Sequence, residues 1–122
     1  MTSVTQILIA LIALEHFYIC YMEMFAWETL GKKTFRGAMP DDMFTKTRTM
    51  AANQGLYNGF LAAGLSWTLF IQNAEWQFAI AVFFLSCVAL AGIYGGYSVS
   101  KRIFYTQGSP ALITLGLLLL TV

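Results

Sequence analysis

Glu15 and His16 stand side by side in a long apolar run, and Glu23 and Trp27 follow on the same run. A carboxylate at the centre of a membrane span costs about 2.5–3.5 kcal/mol on insertion scales, so it is expected to have a partner or a task. An adjacent acid and imidazole suit proton exchange, the chemistry of proton-coupled transport and of acid/base isomerisation or cyclisation. At about 100° per residue, His16, Cys20, Glu23 and Trp27 share a sector about 60° wide, while Glu15 points about 100° from His16. Glu23 lies about 10 Å along the helix from His16, too far for contact but suited to lining the same cleft. Glu15, His16 and Glu23 are therefore the expected proton-exchanging residues.

Two other stretches carry polar side chains to a similar depth. One holds Asn53, Gln54, Tyr57 and Asn58, with Gln54 and Asn58 one turn apart; the other holds Tyr94, Tyr97 and Lys101 within about 60° of one another. With Trp27, the residues Asn53, Gln54, Tyr57, Asn58, Tyr94 and Tyr97 are the expected ligand-binding set. The simplest assembly is a cavity open to the cytoplasm, polar along its wall and closed outside by Trp67, Phe70, Phe83 and Phe84. Taken alone, Asn53 and Gln54 read as interhelical hydrogen-bonding groups and the tyrosines as packed aromatics. The ionisable groups beside them shift the weight toward a site. Glu28 is expected to pair with Lys32, four residues on. The single histidine, the absence of HExxH, and Cys20 and Cys87 without metal or redox spacing leave no metal or cofactor expected. No serine-histidine-acid set or glycine-rich phosphate loop is evident.

The elements that position these residues follow from composition. Of 122 residues, 58% are hydrophobic and 11% charged, against about one quarter charged in soluble domains. The expected fold is all-α: an integral membrane protein, a compact four-transmembrane-helix bundle forming a single domain, 1–122. Its spans are expected at about 5–30, 50–71, 76–99 and 109–122, with a cytoplasmic loop at 31–49. Gly31 reads as the stop of the first span. That span lacks the basic start and small-residue cleavage site of a signal peptide. Ser109-Pro110 reads as an N-cap followed by proline at the first helical position, which makes the last span short, about 20 Å.

All seven basic residues fall in two places: Lys32, Lys33, Arg36, Lys46 and Arg48, then Lys101 and Arg102. By the positive-inside rule both basic loops are cytoplasmic and both termini outside. The net charge of +1 argues for no nucleic acid partner. The 31–49 stretch reads as an ordinary loop, the alternative being a short helix from Asp41 or Asp42 lying on the headgroups. Ala51, Gly55, Gly59 and Ala63, and Gly92, Gly96 and Ser100, form small-residue stripes that suit close helix packing within the chain, with a homodimer as the alternative.

The stretches Glu15-His16-Phe17-Tyr18-Ile19, Glu23-Met24-Phe25-Ala26-Trp27, Asn53 to Gly64 and Ala91-Gly92-Ile93-Tyr94-Gly95-Gly96 closely resemble the small bacterial membrane proteins of domain-of-unknown-function family 1304. The resemblance spans the chain and implies a compact four-span protein of the bacterial cytoplasmic (inner) membrane. A looser similarity, four spans with a glutamate in the first, is to the small multidrug resistance transporters. Those work as dimers, commonly antiparallel, whereas the basic residues here lie on one predicted side and oppose dual insertion.

The leading expectation is a protein that binds, and moves or exchanges protons with, a small amphipathic or lipophilic molecule in the cytoplasm-facing cavity, with membrane lipids around it. The alternatives are a membrane enzyme doing acid/base chemistry on a lipid or isoprenoid, and a non-catalytic subunit of a membrane complex.

Overall fold

The structure, a computed structural model, describes all 122 residues. Helix α1, Ser3–Phe25, starts at Thr2, whose hydroxyl accepts from the Thr5 N–H at 3.2 Å and so satisfies one of the free donors of the first turn. It ends where Ala26 leaves helical geometry at φ −139°. A π-helical turn, π1, covers Trp27–Gly31, closed by Gly31 N–H donating to the Ala26 carbonyl at 3.0 Å. Short helices α2, Lys32–Thr34, and α3, Asp42–Lys46, precede α4, Arg48–Thr68. Asn73 caps α5, Ala74–Ser98, by accepting from the Trp76 N–H. Helix α6, Lys101–Ile103, the π-helical turn π2, Phe104–Gly108, and α7, Ser109–Leu120, then run as one helical stretch.

Three of these stretches are long and apolar enough to cross a membrane: Ser3–Phe25, Ala74–Ser98 and Lys101–Leu120. Helix α4 is long enough at 21 residues, but Asn53, Gln54 and Asn58 leave it less apolar. The last stretch differs from expectation. Ser109 is no cap; its backbone is helical at φ −61° and ψ −48°, and the helix starts at Lys101. Twenty residues reach about 30 Å rather than 20 Å. Proline inside a helix lacks an N–H and crowds the carbonyl four residues before it. The wider π2 turn, immediately before Ser109-Pro110, is where the helix accommodates it.

The long stretches close a ring in which α1 packs on α4, α4 on α5, α5 on π2 and α7, and α7 on α1. Met1, Glu75, Thr121 and Val122 line one crevice, so both termini and the α4–α5 turn share an end. At the opposite, basic end, an Arg102 guanidinium N–H donates to the Thr34 carbonyl at 3.0 Å and ties the two basic segments together. The dry core lies toward the terminal end, with Ile9, Ile12, Leu65, Leu85, Val88 and Leu118 among its buried members.

Small residues set the interaxial distances. A Cβ on Gly92 would collide with the Gly108 backbone, so α5 and π2 meet main chain to main chain. A Cβ on Gly55 would lie 2.8 Å from the Met24 side chain and 2.9 Å from the Glu23 Cβ, placing α4 equally close to α1. The stripe on α4 does not run straight: Ala63 is exposed and Ala62 takes its buried place. Each four-residue step turns about 40° past a full circle, and three steps carry Ala63 off the contact face.

The 31–49 segment departs furthest from its expected form. Gly31 is helical, at φ −62°, and is not a left-handed stop; a side chain there would collide with the Trp27 ring. Helix α3 forms, and its one buried side chain turns inward. Its Phe44 is fully buried against Trp27, ring centroids 5.3 Å apart, and Phe35 packs on the same indole at 5.8 Å. Glu28 and Lys32 form no pair; the one ion pair is Lys46–Asp42 at 2.9 Å. The π1 turn holds more residues per turn than an α-helix, and this breaks the i, i+4 alignment on which the Glu28–Lys32 expectation rested.

Candidate functional site

Glu23 is the buried carboxylate around which the polar residues gather. It sits near the end of α1 and is only 4% exposed. Gln54 Nε2 donates to its Oε2 at 2.8 Å and Asn58 Nδ2 to its Oε1 at 2.6 Å. Both donors come from α4, one turn apart, and the close approach at Gly55 brings them within reach. A carboxylate oxygen has two lone pairs, so each oxygen keeps acceptor capacity after its amide contact.

Glu23 and Gln54 form part of the wall of a cavity of about 250 Å³, which also meets Trp27, Thr47, Val99 and Ile103. The remaining wall comes from Phe35, Ala38 and Met39 of the loop and Met50 and Ala51 of α4. Trp27 is held by its indole N–H donating to Thr47 Oγ at 3.0 Å and by the two phenylalanine rings. The result is a mostly apolar chamber at the basic end with one acceptor-rich carboxylate in its wall. Such a chamber can take an apolar body carrying a hydrogen-bond-donating or cationic head.

Glu15 and His16 do not join this chamber. Glu15 is half-buried and lines a separate crevice with Tyr18 and Arg102. His16 is fully buried. Its Nδ1 lies 2.9 Å from the Ile12 carbonyl oxygen, which can only accept, so Nδ1 carries the proton. Nε2 is left as a buried atom with no hydrogen-bond partner. The two neighbours diverge because one helical step turns the second of them by about 100°.

The outer members of the expected set also lie elsewhere. Tyr57, Tyr94 and Tyr97 are 62%, 71% and 89% exposed. Asn53 is exposed and donates to the Thr49 carbonyl of its own helix at 2.9 Å. The expected closure by Trp67, Phe70 and Phe83 does not form either, since all three point outward. Near the α4–α5 turn the seam is instead shut by Phe84, whose ring lies against Gly64, and by Gln77 Nε2 donating to the Thr68 carbonyl at 3.1 Å.

Sequence reasoning missed the loop's part in the chamber. Phe35, Met39 and Phe44 were visible as apolar residues among charges, and that mixture was the available signal. It did not say that the loop folds back over the end of α1. No group of histidine, cysteine or acidic side chains is placed to hold a metal ion.

The fold and this chamber define a small all-helical protein of membrane type with a buried acid between its first two long helices. The chain belongs to the family described as "Protein of unknown function (DUF1304)", whose model matches residues 10–119. It is similar to a protein of Lactococcus lactis subsp. lactis (strain IL1403) described as "Uncharacterized protein YpaA", 35% identical over 116 residues, which cover 94% of this chain and 96% of that protein. No solved structure matches the chain.

Proposed function

We propose that this is a multi-pass protein of the bacterial cytoplasmic membrane that binds a small amphipathic molecule, an apolar body with an amine or other donor head, in the Glu23 chamber. In this reading α4 crosses the bilayer with the three more apolar stretches, both termini lie outside, and the chamber faces the cytoplasm. The common end shared by the termini and the gathering of all basic residues at the other support that orientation. Helix α4 tolerates its amides in this position because two of them are spent on Glu23.

The observation that carries the reading is a 4% exposed carboxylate with spare acceptor capacity in the wall of a mostly apolar 250 Å³ chamber. A structural role alone needs the two amide bonds but not the chamber. Trp27 supplies the readout. In protein with Trp67 and Trp76 replaced by phenylalanine, titration with medium-chain alkylamines is expected to change the Trp27 emission saturably. Glu23→Gln is expected to weaken that binding about tenfold or more. Equal titrations in the two proteins would sink the proposal.

A further inference from the structure

Glu15 is an acid of α1 that the Glu23 chamber does not use. It lines a second crevice, about 140 Å³, between α1 and the α6–π2 segment, whose other polar lining is Tyr18, Thr34, Arg102, Thr106 and Gln107. Phe35 and Ile103 line both spaces and form the partition between them. Glu15 is in no ion pair. Arg102 spends one guanidinium N–H on the Thr34 carbonyl, and a guanidinium has five.

An unpaired carboxylate and a guanidinium with spare donors in one small crevice are complementary to a ligand that carries both charges. The placement narrows the source. In the membrane orientation proposed above, on which this inference rests, Arg102 opens the last apolar helix at headgroup level, while Gln107 lies about 7 Å further along it. Tyr18 lines the crevice and is 51% exposed, and Ile19, Met22, Phe35 and Ile103 complete its wall, so apolar surface borders the polar groups where acyl chains would run. The geometry points to a binding site for the headgroup of an aminophospholipid, with the phosphate on Arg102 and the primary ammonium on Glu15. A primary ammonium offers three N–H donors, for which the Glu15 carboxylate and the Tyr18 and Thr106 hydroxyls are acceptors. A trimethylated ammonium offers none.

The test is lipid retention by the full chain, followed by native mass spectrometry after exchange against vesicles of phosphatidylethanolamine, phosphatidylcholine or phosphatidylglycerol. One retained phosphatidylethanolamine per chain is expected, in about tenfold preference over the other two. Glu15→Gln is expected to abolish the preference over phosphatidylglycerol, and Arg102→Gln to weaken retention of all three. Thr106→Val, a change of similar volume on an exposed residue, is expected to reduce the phosphatidylethanolamine preference in protein that melts like the parent. Soluble phosphoethanolamine at the same concentration is expected not to displace the lipid. Equal retention of the three lipids by the parent chain would overturn the assignment. So would an unchanged preference in Glu15→Gln, or displacement by the free headgroup. Alkylamine titration of Trp27 in Glu15→Gln should be unaltered, which separates this site from the Glu23 chamber.

Discussion

The α1–α4 seam and the α5–π2 seam are both built on glycine, yet they use the closeness differently. At α5–π2 the approach is backbone on backbone, Gly92 against Gly108, with Phe104 packed on Gly96, and no side-chain hydrogen bond joins the two. At α1–α4 the glycine at 55 brings together side chains that then bond: Glu23 with Gln54 and Asn58. In lipid, helices gain little from hydrophobic burial against one another, so packing contact and interhelical hydrogen bonds decide. The first seam relies on packing alone. The second adds polar bonds and keeps an acid at the edge of a chamber, so it is where function can be carried.

That contrast can be broken at its strongest point first. Gly92→Val should cost about 3 kcal/mol, since the new side chain meets main chain that cannot move aside; denaturant unfolding followed by circular dichroism would measure it. Gly116→Ala, with no atom within 4 Å of the added Cβ, is the matched control and should be neutral or slightly stabilising. If both variants unfold alike, the backbone contact is not what holds the pair. Glu23→Ala should cost about 2 kcal/mol by leaving two amide donors without their acceptor, and Glu23→Gln should cost less. A Glu23→Ala chain as stable as its parent would mean that the polar bonds add nothing to the α1–α4 seam.

His16→Leu sharpens the comparison from the other side. It removes a buried nitrogen that has no partner and gives up one local bond to Ile12, so stability should hold or rise by about 1 kcal/mol in the same unfolding assay. A loss of several kcal/mol would show that the imidazole has a structural role not visible in its contacts. Smallest of all, Tyr57→Phe and Tyr94→Phe should change stability by less than about 0.5 kcal/mol, being exposed and away from both seams.

Much of the site was legible before any coordinates. The sector shared by Glu23 and Trp27, and the one-turn spacing of Gln54 and Asn58, are properties of single helices; Glu23, Trp27 and Gln54 line one chamber, and Asn58 bonds to Glu23. Tyr57, Tyr94 and Tyr97 failed to join them because helical angles are relative to each helix's own axis. Whether a face meets a neighbour depends on how far apart the axes run, and α4 and α5 are tight at Gly64 and Phe84 but leave all three tyrosines exposed toward the basic end. The Glu15–His16 pair failed for the complementary reason. Adjacency in sequence is about 100° on a helix, enough to put one residue in the core and the other in a crevice.

The sequence by itself determined the family and the apolar character of the chain. It also placed the polar side chains along the axes and the basic residues at one end, since composition and linear order need no partner to be read. Tertiary structure alone decided that a chamber forms beside Glu23 and Trp27, that Phe35 and Phe44 fold back onto that indole, and that the last helix begins at Lys101 through a π-helical turn. Each of these depends on contacts between segments far apart in the chain or on how backbone hydrogen bonds rearrange around a proline. Neither leaves a periodic trace in the residues themselves.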